Sequence, residues 1–431
     1  MEVSLDKSPQ KSTKRKPEAE KSSFWVRIFV RKGRGQVILL PLLSVFTALI
    51  IGAFIIAFSN IEVLTSWGKI FSHPWETLAI TWNSIKTAYI AMFEGSFGKP
   101  VEMIAAIRTW LSTGTTKDMI AAFRPFSESL VIATPYIFAG LGVALGFRCN
   151  LFNIGAEGQL FIGALASVFI GYSVTGLPFY IHMPLAVIGG VAAAGLWGAI
   201  PGFLKAYTGA HEVINTMMMN YIAFRLTDFF LTGPMARPDK MPMTPVIQST
   251  AYLPTLFPSP MRIHWGFFIA LGAAILVYWF LWKTPLGMEI RMVGANPRAA
   301  RYAGIKNKTI IVLTMTISAA LSGLGGVSQI LGVDHRLVRA FSSGYGFDAI
   351  ALALLGNSHP FGVVLAALLF GFLRGGAARM QSIAGTPVEL IRIIQGMVII
   401  FIAAPEIIRG LYHIRSKSKN EPVSTAPLKE G

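Results

Sequence analysis

Val37-Ile-Leu-Leu-Pro-Leu-Leu-Ser-Val-Phe-Thr-Ala-Leu-Ile-Ile-Gly-Ala-Phe-Ile-Ile-Ala-Phe58 contains no charged side chain. It matches the roughly 20 apolar residues that a helix needs to cross a bilayer. It is too long for the apolar core of a signal peptide, so it reads as a span that stays in place. Residues 1–36 before it are polar and rich in Lys and Arg. They read as a disordered cytosolic tail drawn to anionic lipid.

Similar blocks recur along the chain. Overall, 53% of the residues are apolar and only 14% are charged, where a soluble domain carries about 25% charge. The formal net charge is +17. Its Lys and Arg lie between and outside the apolar blocks, with no basic stripe interleaved with aromatics. That pattern is the positive-inside bias of a membrane protein, and nucleic acid is not an expected partner. The single cysteine, Cys149, rules out an internal disulfide and a Cys-based metal site; it reads as a small buried residue.

The further apolar blocks are Leu130–Phe147, Leu160–Val174, Pro184–Tyr207, Val213–Leu231, Trp265–Trp282, Ile310–Leu331, Phe347–Gly356, Phe361–Leu373 and Leu390–Arg409. With the first they predict an all-α polytopic protein of about ten transmembrane helices, its transmembrane core over 127–410 and a tail over 411–431. Ten spans put the basic N-terminal tail, the 283–308 loop and the C-terminal tail on one side, the cytosol. Residues 59–126 hold Trp67, Trp75, Trp82 and Trp110 and are broken by Pro74 and Pro100. They read as extracytoplasmic helices lying in the outer interface.

Two motifs carry the functional reading. The first is Phe147-Arg-Cys-Asn-Leu-Phe152-Asn153-Ile-Gly155-Ala-Glu157-Gly158-Gln159. Gly and Asn predict a break, with a helix restarting near Ala156 and Glu157 at its positive end. A break within a membrane is tolerated where protein or a water-filled cavity satisfies the backbone, and in transporters it lines the substrate path. The alternative is an ordinary cytosolic turn. Asn215, Asn220 and Asp348 are polar groups inside spans and are expected on the same path. Arg225 and Asp228, three apart, read as a local pair. The second motif is Asn296-Pro297-Arg298-Ala299-Ala300-Arg301-Tyr302-Ala303-Gly304. Asn296 is suited to cap a helix, Pro297 to start it and Gly304 to follow its end. A short basic helix outside the membrane is expected, either docking another protein or lying on lipid.

Other patterns fail their chemistry. His211-Glu212-Val-Ile-Asn215 lacks the second His of a zinc motif. Gly344-Tyr-Gly346 and Gly323-Leu-Gly325-Gly326 follow no strand and read as packing glycines. There is no phosphate loop.

At the two motifs the chain resembles the simple-sugar and nucleoside permeases of bacterial ATP-binding cassette importers, within the broader ribose and branched-chain amino-acid permease group. The matching stretches include Leu151–Gln159, Thr284–Ile305, Ala133–Tyr136, Gly140–Ala144, Gly346–Ala351 and Leu354–Val363. Within that family it is most similar to the longer permease of guanosine-type importers of Gram-positive bacteria. The resemblance implies a non-enzymatic subunit in the plasma membrane. It also implies a second homologous permease, a cytosolic ATPase that binds ATP and Mg, and an extracytoplasmic substrate-binding lipoprotein. It makes Asn296–Gly304 the coupling segment. For a nucleoside, Asn153, Gln159, Asn215 and Asn220 are expected to meet base edge and ribose, with Phe152 and Phe161 covering a base face. Cys149-Asn150 departs from the family pattern of a small residue and Gly. The competing functions are import of a simple sugar such as ribose or galactose, and ion-coupled transport.

Overall fold

The computed structural model describes residues 35–239 and 241–413, with side chains from Leu39 onward and without that of Ala403. The basic N-terminal tail and nearly all of the C-terminal tail lie outside the described residues. Among the described residues there is no β-strand, only two isolated bridges, Met243 with Val338 and Thr255 with His264.

The helices are α1 Gly35–Ser59, α2 Ile61–Trp67, α3 Pro74–Phe97, α4 Pro100–Thr113, α5 Lys117–Arg148, α6 Ala156–Ser173, α7 Phe179–Thr208 and α8 Glu212–Thr232. They continue as α9 Gly266–Lys283, α10 Pro285–Ala295, α11 Pro297–Tyr302, α12 Asn307–Gln329, α13 Tyr345–Leu355, α14 Pro360–Ala384, α15 Glu389–Ala403 and α16 Pro405–Leu411. Among the described residues six helices are long and apolar enough to cross a bilayer unaided: α1, α5, α7, α9, α12 with its extension to Asp334, and α14. The pair formed by α15 and α16 bends by 88° and makes a seventh if counted as one span. The remaining expected spans are α6, α8 and α13. The first half of α6 is almost wholly buried within the bundle, so it needs less apolar surface than a lipid-facing helix. α13 has only 11 residues, about 16 Å of rise, half a membrane.

Small residues set the packing. A Cβ on Gly163 would stand 2.6 Å from the Gly323 carbonyl oxygen, and one on Gly198 would stand 2.1 Å from the Ala319 Cβ. These contacts draw α6 and α7 onto α12 at backbone distance. Gly140, Gly371 and Gly375 do the same for α5 against α14.

Two elements differ in extent from the sequence reading. α5 begins at Lys117, well before Leu130, and α14 runs to Ala384, past Leu373. The charges within these extensions are paired: Glu128 with Arg262, and Arg379 with Glu94. α3 lies antiparallel alongside the second half of α14. Ser96 donates to the Phe372 carbonyl at 2.5 Å, and Ile80–Thr87 share a cavity with Ile383–Thr386.

Candidate functional site

α5 ends at Arg148, and the chain climbs back along it as an irregular stretch, Cys149–Gly155, before α6 starts. The Leu151 N–H donates to the Gly146 carbonyl at 3.0 Å. A backbone broken inside a bundle needs other partners for its N–H and C=O groups. Asn153 and Asn220 supply them, and Gln159 holds Asn153 in place. The Asn153 Nδ2 donates to Gln159 Oε1 at 2.9 Å and to Ser318 Oγ at 2.8 Å. Its Oδ1 accepts from the Gly155 N–H and from Gln159 Nε2, each at 3.0 Å. Asn220, reaching over from α8, accepts from the Gly158 N–H at 2.8 Å and donates to the Ile154 carbonyl at 2.9 Å. All three side chains are at most 1% exposed. In this conformation their amides close the break rather than face a cavity.

A second break lies opposite. α12 continues through a π-helical turn, Ile330–Asp334, and the chain then runs irregularly to Gly344 before α13 begins. Glu157 joins the two breaks. Its Oε2 accepts from the Gly346 N–H at 2.5 Å and its Oε1 accepts from the Ser342 hydroxyl. A carboxylate thus sits at the N-termini of both α6 and α13, where two helix dipoles favour it. Gly346 is required there, because a Cβ would stand 2.2 Å from the Glu157 nitrogen.

The other side of α13 is held by charge. The Tyr136 hydroxyl donates to Asp348 Oδ2 at 2.6 Å, and Arg374 Nη1 donates to the Tyr136 oxygen at 2.8 Å. The Arg374 guanidinium lies 4.6 Å from the Tyr345 ring centroid. Asp348 therefore has a cationic partner that the sequence reading missed, because the apolar block was closed at Leu373, one residue too soon. A lone Arg in that run was the available signal.

The remaining predicted residues separate. Asn215 is partly buried, and its Nδ2 has no hydrogen-bond partner. Phe161 packs against Phe224 and Phe341, each at 4.9 Å. Phe152 is 45% exposed and packs on Phe147 instead, so the two rings build no common face. The expected Arg225–Asp228 pair does not form: Asp228 pairs with Arg339 at 2.9 Å, from the segment that returns toward α13.

At the end of the bundle where α5 terminates, α11 forms as its residues dictate. Asn296 Oδ1 accepts from the Arg298 N–H at 3.0 Å and the Ala299 N–H at 3.1 Å, and Gly304 has φ +83°. Pro297, Arg298, Ala299, Arg301, Tyr302, Ala303 and Gly304 are exposed. Ala300 is not: it is fully buried in a cluster with Val293, Ile290 and Ile310. Its small size serves packing within the chain, so it is corrected from the set of outward-facing residues. Among the described residues no group of three or more His, Cys, Asp or Glu is placed to hold a metal.

Broken helices meeting at a buried carboxylate, beside a short capped helix outside the apolar bundle, are the architecture of a transport subunit. Residues 126–403 match the family described as branched-chain amino acid transport system / permease component, and the chain belongs to that family. It is 43% identical over 287 residues to the guanosine ABC transporter permease protein NupP of Bacillus subtilis, covering 65% of this chain and 82% of that one. Likeness to the glucose ABC transporter permease protein TsgB13 of Haloferax volcanii is 36%, over 65% and 76% of the two chains. Likeness to the nucleoside ABC transporter permease protein NupB of Lactococcus lactis is 34%, over 72% and 87%. No solved structure matches the chain.

Proposed function

We propose that this chain is the permease subunit of an ATP-driven importer that carries nucleosides, guanosine-like ones first, across the plasma membrane. The observation that carries the reading is the 43% identity to a guanosine permease along 82% of that protein's length. In this reading ten crossings, α6, α8, α13 and the bent α15–α16 pair among them, leave both termini in the cytosol. α11 then docks on a separate ATPase that binds ATP and Mg. A lipoprotein delivers substrate from outside.

A second, homologous permease faces α8. Tyr221 is 60% exposed and Arg225 is exposed on that helix, next to the Asp228–Arg339 pair. Such groups are costly against lipid and suit a hydrated path between two permeases. Beside that path Asn215 holds a buried amide donor without a partner, while Asn153, Gln159, Asn220 and Glu157 keep its broken helices in shape. Asp348 and Phe161 take part from behind, by holding α13 and Phe341. A nucleoside is neutral and needs no strong counter-charge.

The glucose permease relative keeps simple-sugar import as the second reading. Growth of a purine auxotroph lacking the gene decides between them. Loss of growth on guanosine or inosine, with growth on ribose intact, is expected. The converse result replaces nucleosides with sugars.

A further inference from the structure

We infer that Arg148 is the positioning residue that transmits movement of the α10–α11 segment to the half-helix α13; this rests on the importer reading above. Arg148 touches both elements. Its backbone is pressed by α10: a Cβ on Gly294 would stand 2.2 Å from the Arg148 carbonyl oxygen and 2.9 Å from the Cys149 Cα. Its side chain reaches the other way. Nε donates to the Ser358 carbonyl at 2.9 Å and Nη2 to the Asn357 carbonyl at 3.1 Å. These carbonyls form the turn that ends α13 and starts α14.

That turn is conformationally costly. Asn357 and Ser358 are both left-handed, with φ of 52° and 49°, a conformation that residues with a Cβ avoid. The forked guanidinium grips two successive carbonyls at once, which the single ammonium of Lys does not match. The same guanidinium lies 5.1 Å from the Trp282 ring centroid, and Arg291 of α10 lies 5.9 Å from that ring. His359, which precedes α14, packs 5.3 Å from it. Displacement of α10 therefore bears on the Arg148 backbone, on Trp282 and on the turn together.

α13 is a short rigid rod with contacts at both ends. Moving the turn by its C-terminus moves Tyr345 and Gly346 against their seat on Glu157. It also moves Ser343, whose carbonyl accepts from Arg374 at 3.4 Å. The rod converts a shift at the ATPase-facing end into a shift at the junction of the two broken helices. Coupling of this kind needs one element contacted by both sites, and α13 with its turn is that element.

The test uses the full complex of both permeases and the ATPase in proteoliposomes. Cys149 is this chain's single cysteine and is buried, so Ser343→Cys provides its one exposed thiol, read on the separated permease band after labelling. Its labelling by a water-soluble maleimide is followed without nucleotide and with trapped ATP. With Arg148 present, nucleotide should change the rate by about fivefold or more, the low end of usual coupling between sites. Arg148→Gln should abolish the change while basal ATP hydrolysis continues.

Arg148→Gln combined with Asn357→Gly and Ser358→Gly separates support from transmission. Glycine accepts the left-handed turn without help, so the triple variant should assemble and still show no response. It also gives the reading if Arg148→Gln alone fails to assemble. A response that persists in Arg148→Gln, returns in the triple variant, or is missing with Arg148 intact overturns the inference. Guanosine uptake is measured in parallel: its absence with Arg148 intact counts against the nucleoside reading, and the labelling response is still read.

Discussion

Replacing Asn153 with Leu keeps the branched outline, adds the bulk of two methyl groups, and removes four hydrogen bonds at one stroke. Ser318 survives the change, because its hydroxyl still donates to the Gly142 carbonyl at 2.7 Å. Three groups are orphaned: the Gly155 N–H and both ends of the Gln159 amide. Hydrogen bonds inside membrane bundles average about 0.6 kcal/mol, whereas an orphaned buried group costs about 1–3 kcal/mol. The expected loss of stability is therefore about 2–5 kcal/mol, set by how far water or a rotated Gln159 compensates. Asn215→Leu is the matched control. Its Nδ2 is buried with no partner to lose, so Leu should leave stability unchanged or raise it, while uptake falls if that amide serves the path. Thermal unfolding of the purified complex, with uptake in proteoliposomes, reads both effects. An Asn153→Leu protein as stable as its parent yet unable to transport would refute the reasoning, since the amide would then serve the substrate and not the break.

The other predictions concern the junction, the docking helix and the topology. Glu157→Gln can still accept from the Gly346 N–H and donate to the Ser342 hydroxyl, but it removes the charge that two helix N-termini favour, so it should destabilise the complex by about 1 kcal/mol; an unchanged melting temperature would count against the charge of Glu157 in seating α13. Ala299→Glu, on the exposed face of α11, should leave stability unchanged and weaken coupling of ATP hydrolysis to uptake. Ala300→Glu should instead prevent stable folding, because it places a carboxylate in a closed apolar cluster; proteolysis and coupling ratios distinguish the two. Val246→Cys, in the loop between α8 and α9, should react with an impermeant reagent in intact cells, and labelling only after lysis would invert the topology.

What was legible in the sequence was mostly local. The Asn296 cap on α11 depends on neighbours within three residues, so the motif alone predicts it. The break before Ala156 follows from Gly and Asn in the same way. Its closure does not, because Ser318 and Asn220 reach the Asn153 stretch from helices far apart in sequence, and amides that look free as residues prove satisfied. Hydropathy closes two blocks at Glu128 and Arg374, and so misses that both have partners supplied from elsewhere. Ala300 shows the same limit. A small residue on a surface helix reads as room for a partner, and only the tertiary packing of Ile310 and Val293 shows which way it points.

The most direct test of the account is uptake of radiolabelled guanosine by proteoliposomes holding this permease, its second permease and the ATPase, with the binding protein outside and ATP within. The account predicts accumulation that needs ATP, is competed by other nucleosides and is indifferent to ribose or galactose. Accumulation driven by an ion gradient without ATP, or competed by those sugars and not by nucleosides, would contradict it.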